Sequence, residues 1–395
     1  MSTPDHRATL RRLLIAQVPA DFADWLDFVA IGALLAFVWT VPPYVFAVLA
    51  VSMGLPYLLI GPFAGVWVDR SNLNRVLLLS NLGRAICTAA LFLAPHWPVL
   101  MVFIALRASC DTFFTPAKQA AIQALTDDDT RMRANGHSHA INQVSKIAAP
   151  ALGGTLLIWL APQQIFLINA LVSLIAVLMV WRLPPIQRDV DETPEPTGMM
   201  QNIRAGIAEI AGKPILRATL IMMAIGYFAM FFYDTLIAPL TRDLGFSETA
   251  LGLSLAAVGA GSVLGALVLG ETKYPFRWIA AGAGVASLLT IALGVAEVLG
   301  MPITLPLYLG LFFGLGVASA INLVPFRTLI QTHTAPDRIG RVTALSEAIN
   351  TIALLTAPFM GAAIAAATSF GMAFICGGAL MFVVALRALA LQARH

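Results

Sequence analysis

The chain has 395 residues, 59% of them hydrophobic and 11% charged, with a formal net charge of +3 and a mean hydropathy of +0.83. This balance excludes a soluble globular domain, because lipid rather than one large core must absorb so much apolar surface. The small positive charge is a topological signal and gives no support to nucleic-acid binding.

Apolar stretches of about 20 residues, enough for one bilayer-crossing helix, recur along the whole length. In chain order they predict helices over 13–38, 43–68, 74–94, 98–125, 133–160 and 162–183. A second series covers 215–240, 247–271, 276–298, 302–330, 341–367 and 369–391. The expected fold class is an all-α membrane protein with twelve transmembrane helices in two pseudo-symmetric six-helix bundles. The first bundle is 1–183, a cytoplasmic linker with an amphipathic helix is 184–214, and the second bundle is 215–395.

Arg7, Arg11 and Arg12 precede the first helix, and its N-terminal segment lacks a cleavage-site pattern. Asp21, Asp24 and Asp27 follow at three-residue spacing on one broad helix face. The second connection reads Gly61-Pro-Phe-Ala-Gly65-Val-Trp-Val-Asp69-Arg70-Ser-Asn-Leu-Asn-Arg75. Two glycines four apart permit close helix approach. Asp69 is able to latch onto an arginine or a helix N-terminus, while Arg70 and Arg75 also suit ordinary positive-inside residues.

The third helix carries Arg84, the fourth Arg107, Asp111 and Lys118, and the fifth His139, Gln143, Lys146 and Pro150. Asp24, Asp27, Arg84, Asp111 and Lys146 fall near mid-membrane, where each charge costs several kcal/mol (~2.5–3.5 on insertion scales), so they are expected to face one another or water. An internal network follows, with Lys146 or Arg84 balancing some of three carboxylates. The bland alternative is that these charges only pin helices together. Three acids outnumber Arg84 and Lys146, however, so one carboxylate is expected to take up and release a proton. Asp24, Asp27 and Asp111 are therefore the proton-coupling candidates.

Pro184-Pro185 ends the sixth helix, and 186–198 reads as a polar linker. Met199, Ile203, Ile207 and Ile210, opposite Arg204, Glu209 and Lys213, then mark a surface-lying amphipathic helix. The seventh helix offers Tyr227, Phe231, Phe232 and Tyr233 as apolar cavity surface, or as lipid-facing and packing aromatics; Asp234 lies near its outer end. Asn322 and Pro325 sit late in the tenth helix. Glu347, in the eleventh, is placed to pair with Lys118 or Arg341 as a gate. Basic residues also cluster at Arg131, Arg133, Arg182, Arg188, Arg217, Lys273, Arg277, Arg338, Arg387 and Arg394, all on one side, so both termini are expected in the cytoplasm. Cys87, Cys110 and Cys376 show no metal or disulfide spacing, and His137 and His139 point to different helix faces, so no metal and no cofactor is expected.

The two halves share a passage. At a constant offset of 208, Gln123, Thr126, Asp129 and Arg133 match Gln331, Thr334, Asp337 and Arg341. Ala140-Ile141-Asn142, Ala149-Pro150 and Gly153 likewise match Ala348-Ile349-Asn350, Ala357-Pro358 and Gly361. Gly61 and Gly65 find a second echo in Gly261 and Gly265. Such duplication implies a pseudo-symmetric body, which in membrane transporters carries the substrate site at the repeat interface. Asp111 and Lys146 correspond to Ser319 and Leu354, so the first half alone is expected to hold the midplane charge.

Gly65, Asp69, Arg70 and Arg75 resemble the cytoplasmic signature of the major facilitator superfamily, with Asn72 and Asn74 where a second glycine and paired basic residues are usual. Leu55-Pro56-Tyr57, Gly61-Pro62, Gln17, Asp24, Arg107, Phe114-Thr115-Pro116-Ala117, Gln331-Thr332 and Gly340-Arg341 are similar to the branch of macrolide efflux proteins and enterobactin-type siderophore exporters. Pro150, Gly153 and Gly154 partly reproduce the fifth-helix pattern of antiporters, with Lys146 where a small residue is usual. The resemblance implies a multi-pass protein of the cytoplasmic (inner) membrane. It would be a proton-coupled exporter, an antiporter, of an organic small molecule such as a drug or siderophore, working by alternating access as a monomer. Substrate contacts fall to Arg84, Arg107, Gln143, Lys146, Tyr227, Phe231, Tyr233 and Asn322. Gating falls to Asp69, Arg70, Arg75, Lys118, Glu347 and Arg341. A non-transporting sensor on the same scaffold and an importer of an organic anion are the alternatives. No phosphate loop, Ser/His/Asp set or zincin pattern supports an enzyme.

Overall fold

The computed structural model describes residues 4–186, 207–269, 274–335 and 338–393. The expected linker past residue 186, Met199, Ile203, Arg188, Arg204, Lys273, Asp337 and Arg394 lie outside the described residues. Every regular element among the described residues is helical. α1 (Pro4–Ala33) continues as a π-helical segment, Leu34–Val38, which stops at Trp39 ahead of Pro42 and Pro43. Proline lacks a donor N–H and bars the α conformation to its predecessor, so the chain must break there. α2 (Tyr44–Asp69), α3 (Leu73–Phe92), α4 (Trp97–Ala124), α5 (Asp128–Leu156) and α6 (Pro162–Trp181) follow. Residues 207–212 are also helical.

The second series is α7 (Pro214–Asp234), a short α8 (Ile237–Asp243), α9 (Glu248–Leu269), α10 (Pro275–Val298), α11 (Leu305–His333), α12 (Ile339–Ala367) and α13 (Phe370–Gln392). α6, α7 and α10 each open on proline, whose fixed φ suits the first helical position and whose missing N–H costs nothing there. The seventh expected helix, 215–240, is broken after Asp234. Had α7 run on, Pro239 would have sat in its interior, where its ring meets the carbonyl four residues back. Restarting at Ile237 places Pro239 in a first turn, where it needs no donor.

Among the described residues, ten helices are long and apolar enough to cross a membrane. α1 and α5, at 30 and 29 residues, have the length; α1 carries three of the acids described below, and α5 carries Arg131, Arg133 and Lys146 in its sequence. Large apolar side chains stand outward, among them Phe63 and Leu267, each 75% exposed, as a lipid-facing surface demands.

The chain divides into two compact units. One comprises Met1–Val41, Val48–Asp191 and Ser247–Ala256; the other comprises Pro42–Ala47, Glu192–Phe246 and Ala257–His395. In the first, α1 packs on α5 and α6, and α3 on α4 and α6. In the second, α7 packs on α12 and α13, and α10 on α11 and α13, which is the same pattern in the same order. α4 begins at Trp97 and α11 at Leu305, 208 residues later, and α5 and α12 each contain an interior proline, Pro150 and Pro358. The duplication read from the sequence is thus a duplication of packing.

The first unit's apolar core includes Leu13, Leu77, Phe114, Ala117 and Ala176, all buried. In the second, Tyr308, Phe312 and Phe374 are fully buried, and the Tyr308 and Thr241 hydroxyls lie 2.6 Å apart.

Candidate functional site

The site is built on α1. Three residues of helix turn a side chain back by about 60° around the axis, so Asp21, Asp24 and Asp27 face successive neighbours. Asp21 looks toward α5 and α4. Gln17 Nε2 donates to it at 2.7 Å and Asn142 Nδ2 at 3.3 Å, and Lys118 Nζ lies 3.9 Å away. Gln17 also exchanges bonds with Ser138, donating to its carbonyl at 3.0 Å and accepting from its hydroxyl at 2.8 Å. These contacts fix the register of α1 against α5.

One turn on, Asp24 Oδ1 is shared by two guanidiniums. Arg84 of α3 donates to it through Nη2, and Arg107 Nη2 of α4 lies 2.5 Å away. Arg84 reaches further, to the Ala20 carbonyl at 3.2 Å and, through Nη1, to Asp111 Oδ1 at 3.2 Å. Its charge also sits 5.0 Å from the centre of the Phe114 ring. Asp111 accepts the Tyr57 hydroxyl on its other oxygen. Asp27 faces Arg107 Nε at 3.3 Å and Thr88 Oγ1 at 3.4 Å. Its second oxygen is buried with no hydrogen-bond partner among the described residues.

Three carboxylates therefore meet two guanidiniums within one unit. With all acids ionised the cluster carries a formal charge of −1; one proton brings it to zero. The acids differ in access: the Asp24 side chain is 33% exposed, that of Asp111 20% and that of Asp27 1%. Asp27 is enclosed, and Asp24 is the most accessible of the three acids.

Lys146, expected to balance the acids, is exposed and lies over the Trp25 ring at 5.0 Å; the second base of the cluster is Arg107. Gln143 is half-buried on α5. In the second unit Tyr227 and Phe231 are half-buried and stacked, centroids 6.4 Å apart. Tyr233 is buried against Phe374 at 4.9 Å and accepts from Thr290 Oγ1 at 3.5 Å. Asn322 is buried too, with Nδ2 3.7 Å from Met381 Sδ. Of the gating set, Asp69, Arg70, Arg75 and Glu347 are exposed, and Arg341 is half-buried. Lys118 lies 3.9 Å from Asp21 and sits 5.4 Å from the centre of the Phe114 ring.

Some contributors carried no signal in the sequence. Tyr57 is one hydroxyl in an apolar helix, visible only as part of Leu55-Pro56-Tyr57. Thr88 likewise looks like packing. Asn72 and Asn74, where the resemblance expects other residues, have local work. Asn72 caps α3 by accepting from the Arg75 N–H at 3.1 Å. Asn74 donates to the carbonyls of Leu183 and Pro184, at 3.3 and 2.9 Å, and accepts from the Ile186 N–H at 2.8 Å.

The sequence profile described as Major Facilitator Superfamily matches residues 13–238 and 219–394. An uncharacterized MFS-type transporter of Bacillus subtilis, YfiS, is 28% identical over 95% of this chain and 91% of its own length. Macrolide efflux protein A of Enterococcus faecalis is 26% identical over 76% of this chain and 94% of its own. Among solved structures, a bacterial homolog to the human lysosomal transporter Spinster, inward-facing and unoccupied, superposes with a TM-score of 0.77 at 15% identity. It covers 100% of this chain and 98% of that one.

Proposed function

The chain belongs to the major facilitator superfamily, and on that footing we propose that it is a proton-coupled exporter, an antiporter, of an organic small molecule such as a drug or siderophore. It sits in a cytoplasmic membrane with both termini inside and works by alternating access. The observation that carries this reading is the sharing of Asp24 Oδ1 by Arg84 and Arg107 in a cluster one negative charge in excess.

Asp24 is the proton carrier in this scheme, and Asp27 and Asp111 are the fixed anions that keep each arginine charged and aimed. An ionised Asp24 draws both guanidiniums together and holds α1, α3 and α4 in one arrangement. A protonated Asp24 leaves Arg84 to Asp111 and Arg107 to Asp27, and loosens that three-helix clamp. Exchange of the proton thereby becomes a change in packing, which is what coupling requires. Macrolide efflux by the Enterococcus relative supports an organic cargo and an outward direction.

Purified protein in liposomes tests the proposal. A macrolide is expected to move against an imposed pH gradient and to release protons on binding, and Asp24→Asn is expected to abolish both. Gradient-independent flux, or proton release unchanged in the variant, would refute the coupling.

A further inference from the structure

We infer that the N-terminal turns of α1 and α5 form a seat for one anionic phospholipid, separate from the acidic cluster. Two hydrogen-bonded pairs fix the alignment of these helices: Gln17 with Ser138 and Asp21 with Asn142. Both pairs join residues 121 apart, so the helices run parallel and a residue of α1 lies level with the residue of α5 numbered 121 higher. By that register Arg11 is level with Met132, beside Arg133. Arg7 lies one turn nearer the helix starts, and His137 one turn deeper. All four side chains are exposed and line a cavity of about 810 Å³.

Farther along the same cavity the lining becomes apolar: Ile15 and Val18 on α1, Ile141 and Val144 on α5. Ile15 and Val18 are each 45% exposed and Val144 is 64% exposed. Seven residues of helix separate Arg11 from Val18, about 10 Å along the axis. The groove therefore has a cationic mouth at the start of two membrane helices and an apolar floor running inward from it. A free phosphate has no use for that floor, and a neutral acyl chain has none for the mouth. A lipid phosphate joined to its chains satisfies both, with charge-assisted bonds from Arg11 and Arg133 and burial of the exposed Ile15, Val18 and Val144. Uncovered, these apolar groups would stand beside Arg7, Arg11 and Arg133 at a membrane boundary.

The site is tested with full-length protein in detergent by native mass spectrometry during titration with phosphatidylglycerol. One lipid is expected to be retained at least tenfold more tightly than phosphatidylcholine, and the Arg11→Gln/Arg133→Gln variant is expected to remove that preference. Val144→Asp is expected to weaken retention with the arginines intact, and glycerol phosphate at millimolar concentration is expected not to compete. An unchanged thermal midpoint shows that each variant is folded. Equal retention of the two lipids overturns the assignment, as does retention unaffected by the double substitution. Competition by glycerol phosphate identifies a simple anion site instead, and competition by a macrolide identifies a cargo site; either sinks the lipid seat. Transport is not measured, so failure here is distinct from failure of proton coupling.

Discussion

Arg107 bridges two acids of one helix: its Nη2 lies 2.5 Å from Asp24 Oδ1 while its Nε faces Asp27 Oδ2 at 3.3 Å. Arg84 bridges acids of two helices, Asp24 of α1 and Asp111 of α4. Asp24 is thus the one acid common to both arginines, and removing its charge still leaves each guanidinium an anion. Asp24→Asn is therefore expected to fold, with a stability loss below about 2 kcal/mol, since no buried charge is stranded. Proton-driven flux is expected to fall at least tenfold. A variant that transports normally, or one that fails to fold, would contradict the division between carrier and fixed anions.

Asp27 behaves differently, because its carboxylate is almost wholly buried. Arg107→Met strands that charge, and the expected loss is about 3–5 kcal/mol, the range for breaking a buried pair from one side. Asp27→Asn costs less, because Arg107 keeps Asp24. Adding Asp27→Asn to Arg107→Met should then restore part of the lost stability. Unfolding in a detergent titration measures the cycle, and strict additivity would mean that the pair is not coupled.

The all-helical membrane fold, the duplication and the acids of the first half are legible in the chain, because hydropathy and spacing report directly on bilayer crossing and helix faces. The partners are not. Lys146 and Arg107 both fall on plausible faces, and only the rotation of α4 and α5 about their axes decides that Arg107 meets Asp24 while Lys146 lies over Trp25. The role of Tyr57 is hidden for a related reason: a hydroxyl in an apolar helix shows its part only when its acceptor on another helix is placed. The break after Asp234 leaves no mark in the hydropathy, which runs smoothly across it; its cause is the position of Pro239.

Asn74 holds the start of α3 to the end of α6 through three hydrogen bonds, to Leu183, Pro184 and Ile186. Asn74→Ala removes all of them and leaves backbone groups at a helix end without partners. The expected loss is about 2 kcal/mol, from roughly 0.5–1.5 kcal/mol per net bond less what water restores. Asn72→Ala should cost about 1 kcal/mol through the lost cap of α3. A larger effect for Asn72 than for Asn74 would contradict the ranking.

Gly154 of α5 lies against Gly252 at the start of α9, inside the first unit. A Cβ on Gly154 would come within 2.7 Å of the Gly252 Cα and 3.0 Å of the Thr249 carbonyl oxygen. Both are backbone atoms and cannot swing aside. Gly154→Ala is expected to force the helices apart at a cost of about 1–3 kcal/mol. Gly136, which has open space around its would-be Cβ, is the control, and Gly136→Ala should be neutral or slightly stabilising. Thermal midpoints of the two variants decide the matter; equal midpoints would remove the close contact from the account.

Glu209 supplies a pH dependence outside the membrane. Its carboxylate lies 2.6 Å from Lys213 Nζ and 2.7 Å from Arg338 Nη1, while Lys213 also donates to the His333 carbonyl at 2.9 Å. The hydrogen bond from Lys213, with that from Arg338 behind it, holds the Glu209 carboxyl below its ordinary range. A lowered carboxyl value means that the folded state binds the proton less readily than the unfolded one. The clasp therefore contributes its full stability above the ordinary carboxyl range, about pH 4.3, and loses it as pH falls through the lowered folded value. Wild-type protein should melt above Glu209→Gln at neutral pH, and the two midpoints should converge on acidification. Salt should narrow the neutral gap, because Lys213 and Arg338 are more than two-fifths exposed. A gap that persists unchanged into acid would show that Glu209 acts by shape and not by charge.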